Sequence, residues 1–314
     1  MKIKLLLPLL ILFYQIVFAQ APPKVEFRIL ASKGKNLVNH KHYSTGHKLY
    51  PSDQITITQG GYIGLVHKSG KTFEFREVGS FAVSDIAAKL EESNHNRPTR
   101  FSDFVTNEFT KDSHIKIDKS KFNKKAAEET DLHKKEKIDL LLPDSKVIQT
   151  VEVLYDTLII SWKKHEANTN IHVASLINYK NEVAFTAETS DTSIALICDE
   201  KMFLQGETFT LEIIIKDKPD KKLVQRKFMI VPHDKFSILH EEVIDLNHNI
   251  PEDNALNNYL KAEFYAKNGL FFEALNHFQK AVILEKDVPD YVIGFNNYLA
   301  SFGLNNFIVE TKKH

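Results

Sequence analysis

Apolar and polar side chains alternate from Val25: Val25, Phe27 and Ile29 fall on one face, Glu26 and Arg28 on the other. That period of two is the pattern of a half-buried strand. Ile55-Thr56-Ile57 and Thr72-Phe73-Glu74-Phe75 repeat it. Turn signals at Pro51-Ser52-Asp53, Gln59-Gly60-Gly61 and Lys68-Ser69-Gly70-Lys71 separate the runs. Short strands at this spacing predict a small β-barrel or β-roll over residues 24–84. The period then changes. Asp85 is placed to cap a helix, and Ile86, Leu90, Phe101, Phe104 and Val105 form an apolar face, so 85–110 is predicted as a helical connector broken at Asn94–Pro98. Residues 111–137 carry Lys, Glu and Asp with few large apolar side chains and read as a charged linker.

Period two returns over 138–232. Leu158, Ile160 and Trp162 share one strand face; Phe209, Leu211, Ile213 and Ile215 share another; Val224, Arg226, Phe228 and Ile230 form a third. About seven strands with turns such as Asp217-Lys218-Pro219-Asp220 predict a β-sandwich. From His233 the spacing becomes helical. Phe236, Leu239, Val243 and Leu246 predict one helix, Leu256 to Lys267 a second ending at Asn268-Gly269, and Phe271 to Glu285 a third. The fold class expected is therefore multi-domain and mainly β, a small β-barrel or roll plus a β-sandwich, with an α-helical region over 233–314.

Three resemblances attach to these residues. Gly46 and Leu49 leading to Ser52-Asp53 and Ile55-Thr56-Ile57, then Tyr62-Ile63-Gly64-Leu65-Val66 and Ser69-Gly70-Lys71-Thr72-Phe73, resemble the FecR-type β domain of bacterial envelope proteins. The family prefers Gly where Ser52 stands, and the match covers about a fifth of the chain. Ser161-Trp162, Thr189-Ser190-Asp191-Thr192-Ser193 and Gly206-Glu207-Thr208-Phe209 resemble a fibronectin type III or immunoglobulin-like domain, an architecture shared by many functions. Ala262, Tyr265, Gly269, Ala274, Phe278 and Ala281 resemble the small and large positions of a tetratricopeptide repeat, with Asn258 at the family's usual Trp position and Pro289 displaced beyond its terminal Pro. Leu299-Ala300-Ser301-Phe302-Gly303-Leu304 follows Tyr265-Ala266-Lys267-Asn268-Gly269-Leu270 at the repeat's own period of 34 residues, so Gly303 stands where Gly269 does in a second, partial copy whose second helix would start at Asn305. So short an array needs a neighbour to bury its core.

Composition narrows the setting. Lys2 and Lys4, an apolar run from Leu5 to Phe18, and Val17-Phe18-Ala19 predict a signal peptide over 1–19 cleaved after Ala19. No later run is long enough to span a bilayer, so a periplasmic or secreted protein is expected. Acidic and basic residues balance at 41 each, which gives no basic field for nucleic acid. The one cysteine, Cys198, reads as a small buried hydrophobe.

Candidate chemistry is sparse. His40 and His42, two apart, would share a face on a strand, and with His47 they form the one metal-like cluster; polar loop histidines are the plainer reading. No nucleophile elbow, phosphate-binding loop or H-E-x-x-H motif occurs, so no enzyme activity, catalytic residue or cofactor is assigned. The expectation is a protein–protein adaptor. The concave face of the C-terminal helices would receive an envelope protein through Asn258, Tyr259, Phe264 and Asn297. Alternatives are a cell-wall glycan-binding module using the β domains, a sensor relaying to a membrane partner, and an enzyme with a dispersed site.

Overall fold

The computed structural model describes residues 24–92, 141–143, 145–154, 157–162, 171–197, 206–249 and 253–310. The expected signal peptide, the expected connector beyond Glu92, the expected charged linker and Cys198 lie outside the described residues. The described chain combines β-sheets with C-terminal helices.

The first unit holds β1 (Phe27–Lys33), β2 (Leu37–Val38), β3 (Lys48–Leu49), β4 (Gln54–Ile57), β5 (Tyr62–His67), β6 (Thr72–Phe75) and β7 (Gly79–Ala82), followed by α1 (Val83–Glu92). One sheet runs β3-β1-β5-β6 and the other β2-β4-β7. Phe27, Ile29, Leu49, Ile55, Ile57, Ile63 and Leu65 form a common core, which Val83, Ile86 and Leu90 of α1 join. The strand β5 is buried along its whole length. Alternation decides the division: Ile63 and Leu65 face the unit's own core, while Tyr62 and Val66 belong to the core shared with the helices.

The second unit holds β8 (Thr150–Val153), β9 (Thr157–Ser161), β10 (His172–Ile177), β11 (Val183–Thr189), β12 (Ser193–Ile197), β13 (Thr208–Ile215) and β14 (Lys218–Ile230). A five-stranded sheet runs β11-β10-β13-β14-β8, and β9 pairs with β12. All pairs are antiparallel except β14 with β8. The expected faces of β13 and β14 are buried at Phe209, Leu211, Ile213, Ile215, Phe228 and Ile230. Arg226 sits in that apolar row because its guanidinium donates to the Pro143 and Ile148 carbonyls at 2.8 and 2.9 Å. The expected turn at Asp217–Asp220 is shorter than its sequence suggests. Lys218 already pairs with Ile215, and Pro219 is tolerated because the register shifts between there and the Ile214–Lys222 pair.

The C-terminal helices are α2 (His233–Asn249), α3 (Ala255–Lys267), α4 (Phe271–Leu284) and α5 (Pro289–Ser301), then a 3-10 turn (Asn305–Phe307). Asn254 caps α3 by accepting the Asn257 N–H at 2.8 Å, and Pro289 opens α5 where no helical donor is needed. Helices α3 and α5 begin and end 34 residues apart. Two closing bonds recur at their ends. Leu270 N–H returns to Tyr265 O and Gly269 N–H to Ala266 O; Leu304 N–H returns to Leu299 O and Gly303 N–H to Ala300 O. Gly269 and Gly303 supply the left-handed residue at φ 77° and 75°. After Gly303 comes the 3-10 turn, and Asn296 holds the segment that follows it through two bonds to Val309.

Candidate functional site

The helices do not stand apart. Their core is continuous with Leu30, Ala31, Tyr62 and Val66 of the first unit and with Phe209, Leu211 and Phe228 of the second. The junction with the first unit is polar at its centre. Tyr62 donates to Glu74 Oε1 at 2.8 Å, so Tyr291 donates to the Tyr62 hydroxyl at 2.6 Å. The same Glu74 oxygen accepts the Leu256 N–H at 2.8 Å, one of the helix-start donors with no intrahelical partner. Thr72 donates to Asn257 Oδ1 at 2.6 Å. At the start of α5 Asp290 accepts the Ser32 N–H and the Thr45 hydroxyl, both at 3.0 Å. Gly64 leaves room for this contact: a Cβ there would meet Leu256 and the Tyr291 hydroxyl at 3.3 Å. Around the rim Arg76 pairs with Glu74 and Glu285, each at 2.8 Å, and Lys33 with Asp287 at 3.3 Å. Burial pushes the Tyr291 hydroxyl well above its ordinary range, so it stays a donor.

Ala262, Tyr265, Ala274, Phe278 and Ala281 are buried between the helices. The contact candidates are placed differently. Asn258 is 1% exposed and Phe264 3%, so neither forms an open surface. The Asn258 amide donates to Asp253 Oδ1 and Asn254 O, both at 2.8 Å, and its oxygen takes the His277 Nδ1–H at 2.8 Å. Burial holds His277 down at about 4, helped by Lys261 and Lys280, so the ring is neutral and stacks on Tyr265 at 5.3 Å. Tyr259 packs against Tyr291 and Phe278 at 5.3 and 5.6 Å. Asn297 remains half-exposed. A polar side chain in a helical pattern has two uses, water or an internal partner, and here the helix ends use theirs internally.

His40, His42 and His47 are all exposed, and His40 and His42 are not on a strand. Val38 and Lys41 exchange backbone bonds at 2.9 Å around Asn39 and His40, whose φ values of 49° and 63° make a tight two-residue turn. A turn does not give the strand geometry that put the two rings on one face. Among the described residues no group of three or more His, Cys, Asp or Glu is placed to hold a metal ion, and no helix is long and apolar enough to cross a membrane.

One polar row escaped the sequence reading. Glu26 accepts from His67 Nε2 at 2.9 Å, and His67 Nδ1 meets Ser69 Oγ at 2.7 Å. The same nitrogen accepts the Ser69 N–H at 3.1 Å, which fixes the tautomer and closes the β5–β6 turn. Burial holds His67 below its ordinary range against the pull of Glu26. The ionic partner of Glu26 is Lys68, at 2.9 Å. Alternation could have put Glu26 and Arg28 together; nothing local tied Glu26 to a residue 41 positions on.

No protein-family model matches the chain, and no curated protein matches it. Among solved structures it is similar to a β-glucuronidase from Ruminococcus gnavus in complex with D-glucaro-d-lactam, at 10% identity over 55% of this chain and 40% of that one, with a TM-score of 0.20. The same enzyme in complex with D-glucuronic acid gives 11% identity, the same coverage and a TM-score of 0.20. The chain thus spans about two fifths of the length of those structures. A likeness at that TM-score carries no argument about fold or chemistry.

Proposed function

We propose that the chain is a non-enzymatic, exported envelope protein that acts as a protein–protein adaptor, with its C-terminal helices as the organising element. The finer fold reading goes with it: a FecR-type β domain, an immunoglobulin-like sandwich and one and a half tetratricopeptide repeats. The order β11-β10-β13-β14-β8, with the first strand parallel to the last and β9–β12 as a separate pair, supports the sandwich. The matched helix ends 34 residues apart support the repeat.

The observation that carries the adaptor reading is that the helices bind both β units at once. Through Tyr291, Leu256 and Asp290 they hold the first unit; through Phe272, stacked on Phe228 at 6.0 Å, they hold the second. A tail that joins two units presents them as one platform. The helix starts that would have formed a concave docking face are occupied from within, so an external partner meets the outward side, where Ile283 is 76% and Leu284 44% exposed and Asn297 is half-exposed.

The test is in-cell photo-crosslinking with a photoreactive residue replacing Ile283 or Asn297, and a control replacing Tyr179 on the second unit. The adaptor reading expects one discrete protein adduct from the helical positions and none from the control. Absence of any protein adduct, with retention of the chain on cell-wall material, would contradict it in favour of glycan binding by the β units.

A further inference from the structure

Glu273 is the third residue of α4, where that helix meets the second β unit. Its Oε1 accepts the N–H of Leu154, the residue after β8, at 3.2 Å. The side chain is 8% exposed, and Oε2 is buried with no hydrogen-bond partner. Among the described residues no cation answers it. On β8, Glu152 pairs with Lys235 of α2. On β14, Arg226 donates to Pro143 and Ile148. On α4 itself, Lys280 pairs with Asp253. On α5 the neighbour is Tyr298, which also feels the acidic Glu263 of α3 and whose hydroxyl donates to the Phe271 carbonyl at 3.1 Å. A carboxylate in this place is a buried charge without a counter-ion, whereas a neutral carboxyl is accommodated. Burial accordingly pushes Glu273 up to about 7, against the pull of its own helix N–H and that of Leu154.

We propose that Glu273 is a proton-operated latch between the helices and the second β unit. Protonated, it seats the start of α4 against the end of β8. Ionised, it draws water into that contact and loosens it, while the Tyr62–Tyr291 junction stays closed. The neighbouring Phe272–Phe228 stack makes the latch a joint rather than a surface bond, since both residues sit in the core that links the two units. The helices would then hold the second unit firmly in acid and loosely in mild alkali, whatever they bind outside.

Amide exchange on the full chain tests this at about pH 5.5 and about pH 8, corrected for the intrinsic dependence of exchange on pH. The latch expects protection at Thr150–Leu154 and Phe271–Leu275 to fall several-fold at the higher pH, with Tyr62–Phe75 unchanged. Glu273→Gln, which keeps the shape and cannot ionise, should hold protection at both. Equal loss in Glu273→Gln, or no loss in the parent chain, overturns the latch. Should Glu273→Gln fail to fold, carboxyl-carbon NMR of the parent decides. A glutamate titrating in step with the exchange change supports the latch, and all glutamates titrating below about 5 overturns it.

Discussion

Tyr291 donates its hydroxyl proton to Tyr62 across 2.6 Å, and Tyr62 passes its own to Glu74 at 2.8 Å. The two tyrosines lie 229 positions apart, on the last helix and the central strand of the first unit. Both are almost fully buried, so the chain of bonds is sheltered from water and each link is satisfied. This pair fixes where the helical region sits.

Removing one link should be felt across the molecule. Tyr291→Phe keeps the ring but leaves the Tyr62 oxygen without its donor, and should cost about 1–2 kcal/mol in urea unfolding. Combined with Tyr62→Phe, the loss should be less than additive, because both changes break the same bond. Full additivity would mean the hydroxyls are not coupled.

Small residues hold the close contacts. A Cβ on Gly294 would lie 2.5 Å from the Tyr259 ring, between α3 and α5. Gly294→Ala should therefore destabilise by about 1–3 kcal/mol. Gly269→Ala meets no neighbour within 4 Å, so its cost of about 1 kcal/mol comes from φ alone. Gly303→Ala should cost the same if the two copies are equivalent. Chemical denaturation of the three variants checks all of this.

His172 offers a pH test. It is 3% exposed beside Trp162, at 5.4 Å between rings, and among the described residues neither ring nitrogen has a hydrogen-bond partner. Burial holds it below its ordinary 6.5, so the folded form prefers the neutral ring. The unfolded chain then binds the proton more readily, and stability present above that value is lost as pH falls through the folded pKa. His172→Phe keeps a ring against Trp162 and removes two unpartnered nitrogens, a burial worth about 1–3 kcal/mol when unsatisfied. The variant should be at least as stable near neutrality and should lose less stability on acidification. A variant as acid-sensitive as the parent would contradict this.

Much of this architecture was written in local pattern. The run Tyr62 to Val66 is too uniformly apolar for a strand with one wet face, and it proves to be covered on both. Helix limits at Lys267 and Gly269 follow from spacing and a single glycine. What covers β5 was not legible, because the answer lies in residues such as Leu256 and Tyr291, far along the chain. The polar positions misled for a related reason. Asn258 carries the same local signal whether it faces a partner or His277, and only the packed neighbours distinguish the two. His40 sits in a turn made by two consecutive left-handed residues, Asn39 and His40, and His42 follows it off any strand, both as exposed side chains.

The C-terminal helices are a structural part of the first β unit rather than a tail attached to it. The direct measurement is amide exchange at Tyr62–Phe75 in the full chain and in a chain ending at Pro232. Strands β5 and β6 should lose protection in the shortened chain, since Tyr62, Val66 and Glu74 lose their cover. Unchanged protection there, with a stable fragment from His233 to His314 released by limited proteolysis, would contradict it.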